Sequence, residues 1–233
     1  MTLAILLLTT IHVGAGLLCL LLGPVALIVT KGSPAHRRTG RLYLRLMVVM
    51  ALTAFTLLFF RFDSFFFVLA VFSYYLAFSG YRVLRRKRPD RDQPASALDW
   101  AVALFTLGAG IVSLLLHAQG RLVGDPAFVV SLLGGTMLVA VYDLARFSRP
   151  PDSRLQPQVW LFEHLTKLIG SYIAIVSAFS ATTMKFLPEP LRQFWPVALG
   201  LPLMLGFVLH YRHRFAQSKM RSGKKPGATP LPE

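Results

Sequence analysis

Seven stretches of this chain run for about 20 residues almost without charge, the length a helix needs to cross a hydrocarbon core roughly 30 Å thick at about 1.5 Å per residue. No backbone group can be left unpaired in lipid, so such stretches read as helices, and the fold class is an all-α polytopic bundle. Of the 233 residues, 55% are hydrophobic and only 15% charged, too little charge to cover a soluble globule of this size. The longest polar connection, around Arg85 to Ala97, is too short to bury a core of its own. Residues 1–216 therefore read as one seven-helix transmembrane domain, and 217–233 as a disordered basic tail.

Turn residues and charge mark the boundaries. Helix 1 is expected over Leu3 to Thr30, then a basic loop Lys31 to Arg41, helix 2 over Leu42 to Phe60 and helix 3 over Ser64 to Leu84. After the charged stretch Arg85 to Arg91, helix 4 takes Leu98 to His117, and helix 5 takes Ala127 to Arg146 behind Gly124-Asp125-Pro126. Helix 6 covers Val159 to Met184 and helix 7 Gln193 to His213, with Pro188 and Pro190 in the turn between them, and the disordered composition sets in from Lys219. The apolar start lacks the basic region of a cleaved secretory signal, so helix 1 reads as retained. The single cysteine, Cys19, sits among leucines and reads as a small packing or lipid-facing residue.

Lysine and arginine set the orientation, because short loops rich in them stay in the cytosol. An external N-terminus places Lys31, Arg37, Arg38, Arg41, Arg45, the cluster Arg82 to Arg91, Arg146, Arg149, Arg154 and the C-terminal set inside. Only Arg61, Arg121, Lys185 and Arg192 then fall outside. The net charge of +15 is thus a topology signal and an attraction to anionic headgroups on the cytosolic face of the cell membrane. No nucleic-acid-binding fold is recognisable, and no nucleic-acid partner is expected.

An ionisable side chain at membrane depth costs a few kcal/mol or more, so each is a functional candidate. Helix 6 carries Glu163, His164 and Lys167 in its inner half, and the one-turn spacing lets Glu163 and Lys167 pair on one face. His164 and His210 both lie about 10 Å inward of mid-span, so facing helices bring them within reach of one another. Asp143, Asp99, Tyr81 and Arg82 fall at or just below that level. Glu163, Lys167, Asp143 and Asp99 form a candidate polar path, and His12, beside Thr9 and Thr10, is the deepest outer group. His117 and His213 lie near span ends, where snorkelling accounts for them.

Gly170, Ala174, Ala178 and Ala181 make a small-residue stripe for close helix packing, and Pro24 and Pro202 each free a carbonyl inside a helix. Gly14 to Leu22 on helix 1 echoes Gly108 to Leu116 on helix 4, which runs the opposite way, as an inverted repeat would have it.

His12, the run Lys31-Gly32-Ser33-Pro34-Ala35-His36-Arg37-Arg38-Thr39-Gly40-Arg41, and Glu163-His164 followed by Gly170-Ser171-Tyr172-Ile173-Ala174 resemble a bacterial family of multi-pass membrane proteins. Its members carry a K-G-x-x-x-H-R-x-x-G loop after a histidine-bearing first helix. Ser79-Gly80-Tyr81-Arg82, Asp99 and Ala178-Phe179 also fall in register, whereas Lys167 departs from the pattern. No activity is attached to the family, so the resemblance implies the membrane fold alone.

Three functions compete. Histidines on facing helices suit haem or a metal, with His164 and His210, joined by His36, as inner ligands and His12 with His117 at an outer site. A proton-coupled carrier of a small solute would instead use Glu163, His164, Lys167 and Asp143, with the prolines marking broken helices. A sensor or assembly factor would present the basic face, where Arg37, Arg38 and Arg41 are candidates for binding an anionic group. No nucleophile elbow, phosphate-binding glycine loop or paired-metal hydrolase motif is present.

Overall fold

The computed structural model describes residues 3–121 and 126–223, which form seven α-helices and no strand among the described residues. They are α1 (Leu3–Ile28), α2 (Pro34–Phe60), α3 (Ser64–Arg82), α4 (Ala97–Ala118), α5 (Pro126–Ser148), α6 (Val159–Thr183) and α7 (Glu189–Gly223). A 3-10 turn, Val83–Arg85, tightens the end of α3. All seven helices are long and apolar enough to cross a membrane, as expected. Large apolar side chains such as Leu21, Leu52, Phe59, Leu104, Leu138 and Leu199 stand exposed on the outer surface. Such a surface has lipid as its solvent.

Two helices, α2 and α7, extend well beyond the sequence expectation, the first for a reason of capping chemistry. α2 begins at Pro34 rather than Leu42, because Ser33 caps it by accepting the His36 N–H at 3.1 Å and Pro34 occupies a first-turn position that needs no N–H. The expected basic loop is therefore mostly the first two turns of α2. The tight turn before it is closed at Gly32, whose φ of 77° is easy only for glycine. α7 begins at Glu189, so Pro190 lies in its first turn, and it runs through Pro196 and Pro202 to Gly223. Lys219 to Gly223, expected in the tail, are helical; residues 224–233 of that tail and Gly124-Asp125 lie outside the described residues.

α3 and α6 form the centre. α3 packs against α2, α4, α5 and α6, while α6 packs against α1, α3 and α7. The two central helices approach closely because Gly80 of α3 lies directly against Leu168 and Lys167, and Gly170 of α6 against Leu76. Further along the small-residue stripe, Ala174, Ala178 and Ala181 join Phe65, Val68, Leu69, Val129 and Leu133 in a core cluster. Cys19 is fully buried with Tyr43, Met47, Ala77 and Ile175, a packing role. The two segments that echo each other in sequence also pack alike: Gly16 of α1 faces Met50 of α2, and Gly110 of α4 faces Met137 of α5.

Pro24 removes the N–H that would bond to Leu20 O one turn earlier in α1. The Tyr172 hydroxyl of α6 donates to that carbonyl at 3.0 Å, with the tyrosine ring lying over Gly23. The vacancy left by the proline is therefore filled from a neighbouring helix.

Candidate functional site at the basic end of the bundle

The run from Lys31 to His36 acts as one local unit. Lys31 Nζ turns back to donate to the last carbonyls of α1, Ala26 O at 2.8 Å and Leu27 O at 2.7 Å, groups that helix geometry leaves without partners. Burial against the helix end draws the Lys31 pKa below its ordinary value. Gly32 makes the turn, Ser33 caps α2, and His36 in the first turn of α2 reaches back so that its Nδ1–H donates to Ala26 O at 3.2 Å.

His164, in the first turns of α6, donates from Nδ1 to Gly80 O of α3 at 2.9 Å. A carbonyl can only accept, so in both histidines Nδ1 carries the proton, and in the neutral ring Nε2 keeps a free lone pair. The two imidazoles are neighbours, with ring centroids 6.4 Å apart and planes at 79°. Three helix ends, those of α1, α3 and α6, and the start of α2 thus fix a pair of oriented imidazoles.

A second set of groups joins α5 to α6. The one-turn pairing of Glu163 with Lys167 does not form; each instead pairs with α5. Lys167 Nζ binds Asp143 Oδ1, and Tyr75 on α3 donates to Asp143 Oδ2 at 2.6 Å. Asp143 and Lys167 are 1% and 5% exposed, so the pair is buried inside the bundle. Arg146 Nε donates to Glu163 Oε1 at 2.8 Å, and the Tyr142 hydroxyl donates to the same oxygen at 2.7 Å. The backbones of α5 and α6 do not touch among the described residues, which leaves the long side chains to span the gap. The physical reason lies in spacing: Asp143 and Arg146, three residues apart on one face of α5, complement Lys167 and Glu163, four apart on α6.

Asp99 belongs to helix capping. Its carboxylate closes a capping box with Ser96 at the start of α4 and receives a two-pronged bond from Arg82, at 2.9 Å from Nε and 2.8 Å from Nη2. Arg86 stands 4.0 Å from the same carboxylate, which is already engaged.

Where Arg86–Pro89 meets the connection between α5 and α6, a shallow cleft opens, lined by Arg86, Lys87, Arg146, Ser153, Trp160 and Glu163. Arg86 lies on the Phe147 ring at 4.4 Å, Lys87 on Trp160 at 4.4 Å, and Arg146 beside Tyr142 at 5.8 Å.

The remaining candidates stand apart. His12 donates from Nδ1 towards Met50 O at 3.2 Å and Thr53 Oγ1 at 3.0 Å on α2, a bond between neighbouring helices in the other half of the molecule. His210 is exposed on α7 with its ring against Tyr211, so the ring facing His164 is that of His36. His213 is exposed and His117 half-buried. Arg37, Arg38 and Arg41 are exposed on the first turns of α2. Among the described residues, no group of three or more His, Cys, Asp or Glu side chains is placed to hold a metal ion.

Sequence reasoning missed the hydrogen-bonding role of Tyr75, Tyr142 and Tyr172 and took Arg86 and Arg146 for topology signals. The matched spacings of acid and base on α5 and α6 were the available clue. Seven lipid-length helices among the described residues, with an apolar exterior, define a multi-pass integral membrane protein. No protein-family model, curated protein or solved structure matches the chain.

Proposed function

We propose that the protein holds a metal-centred cofactor of the bis-imidazole type, such as haem, between His36 and His164. The observation that carries this reading is the pair of imidazoles, each anchored through Nδ1 to a backbone carbonyl and set 6.4 Å apart. Anchoring of that kind fixes the ring and leaves Nε2 for a metal. Two imidazoles that share one metal at about 2.0 Å from each Nε2 have their centroids about 6 Å apart. A site of two histidines suits a cofactor that brings its own equatorial donors, as a porphyrin does. Such a group supplies one-electron transfer. In this reading the basic end faces the cytosol, as the lysine and arginine distribution supports, and anionic headgroups surround it.

The test is an absorption spectrum with metal analysis of detergent-purified protein. A Soret band at stoichiometric content is expected, lost in His36→Ala and His164→Ala and kept in His12→Ala and His210→Ala. Protein lacking both the band and stoichiometric metal would overturn the reading.

A second reading, proton-coupled transport of a small solute, is supported by the buried Asp143, Lys167 and Tyr75 group, which Tyr142 and Glu163 extend towards the cleft. It requires liposome flux that follows a pH gradient and falls in Glu163→Gln. Equal flux in the variant and the parent would exclude it.

A further inference from the structure

The cleft between Arg86–Pro89 and the α5–α6 connection is built from cations that outnumber their counter-charges. Arg86 has a side chain only 9% exposed, yet its buried Nε makes no hydrogen bond, and the nearest carboxylate, Asp99 at 4.0 Å, is occupied by Arg82 and Ser96. A buried guanidinium nitrogen without an acceptor is costly unless something fills the place. Lys87 lies over Trp160, and the only carboxylate lining the cleft among the described residues, Glu163, is already bonded to Arg146 and Tyr142. Three cations against one carboxylate leave a surplus of two positive charges. Asp90, near the rim, does not cancel it, because it pairs with Arg91 at 3.8 Å and accepts from Ser153, which lowers its pKa.

Aromatic rings under Arg86 and Lys87 hold the cationic groups in place without using their hydrogen-bond donors. The cleft is shallow, with a cavity volume of about 30 Å³, and suits the charged end of a ligand whose remainder lies outside it. We propose that this cleft is a phosphate-binding site, with Arg86, Lys87 and Arg146 as donors to one tetrahedral oxyanion. Phosphate matches it better than carboxylate, since it offers acceptors to three separate cations and carries up to two negative charges. The phosphate can belong to a lipid headgroup at the membrane surface or to a free anion. This site does not depend on the histidine pair.

The test uses the full chain in phospholipid-free detergent and follows tryptophan fluorescence, with Trp160→Phe identifying the signal from the cleft. Inorganic phosphate is titrated in one arm and short-chain phosphatidic acid, against phosphatidylcholine, in the other. A saturable Trp160 response to at least one phosphate probe is expected. Saturation by inorganic phosphate identifies a free-anion site, and saturation by phosphatidic acid alone identifies a headgroup site. Affinity should fall about tenfold in Arg86→Gln and in Lys87→Gln, the usual loss for one charge-assisted hydrogen bond. Lys87 is exposed, so its variant tests the site without threatening the fold. The doubly substituted Arg212→Gln, Arg214→Gln protein, altered at the exposed end of α7, should bind as the parent does. The proposal falls if neither probe gives a saturable response, or if Lys87→Gln and the α7 variant weaken binding equally, the mark of diffuse attraction to a basic surface.

Discussion

α1 and the central pair α3 and α6 are all apolar enough to span a membrane, but they solve different problems. Of the most apolar stretch of each, 56% is buried in α3 and 50% in α6, against 11% in α1. The buried helices are the more polar ones. Tyr75, Ser79, His164, Lys167, Ser171, Ser177 and Ser180 lie on α3 and α6, whereas α1 faces lipid with leucine, isoleucine and valine. In water the interior would be the apolar part. In lipid the exterior already is, and the interior becomes the only place where polar groups can find partners.

That contrast is broken most severely by stranding a charge in the centre. Lys167→Met leaves Asp143 without its cation, and the expected loss is about 3–5 kcal/mol of stability, read as a fall in thermal midpoint in detergent. The double variant Asp143→Asn, Lys167→Met should recover most of it, since replacing both charges removes the desolvation penalty as well as the attraction. A double variant as unstable as the single would show that the pair holds the helices by more than charge.

Next comes steric contact. Gly80→Val forces a branched side chain into Leu168 and Lys167 at the α3–α6 crossing and should cost about 1–3 kcal/mol in the same assay. The link between centre and flank is weaker: Tyr172→Phe removes the donor to Leu20 O, with an expected loss of about 1 kcal/mol. The smallest effect falls on α1 itself. Gly14 has open space where a Cβ would go, so Gly14→Ala should leave the stability within about 0.5 kcal/mol of the parent or raise it slightly. A large loss there would mean that α1 is covered by something the isolated chain lacks.

Span number and approximate limits were readable because lipid imposes a length and tolerates few charges. The start of α2 was not, because its basic residues drew attention away from Ser33-Pro34, a capping pair that begins a helix whatever charges follow. The site was readable in its members but less so in its pairing. The spacing of Glu163 and Lys167 establishes that they share a face of α6, but only the packing of α5 around α3 brings Arg146 and Asp143 to them. His164 was a candidate from depth alone. His36 was a candidate too, but that it, and not His210, stands opposite His164 became legible only when the supposed loop proved to be a helix turn tied back to α1.

The tyrosine that answers for the proline in α1 also bears on how this molecule can move. Because Leu20 O is held from α6 and Gly23 lies beneath the same ring, bending α1 at Pro24 must drag α6 along or give up both contacts. The proline is then less a hinge than a rivet, and a bend at this point carries the two helices together for as long as the tyrosine keeps its place.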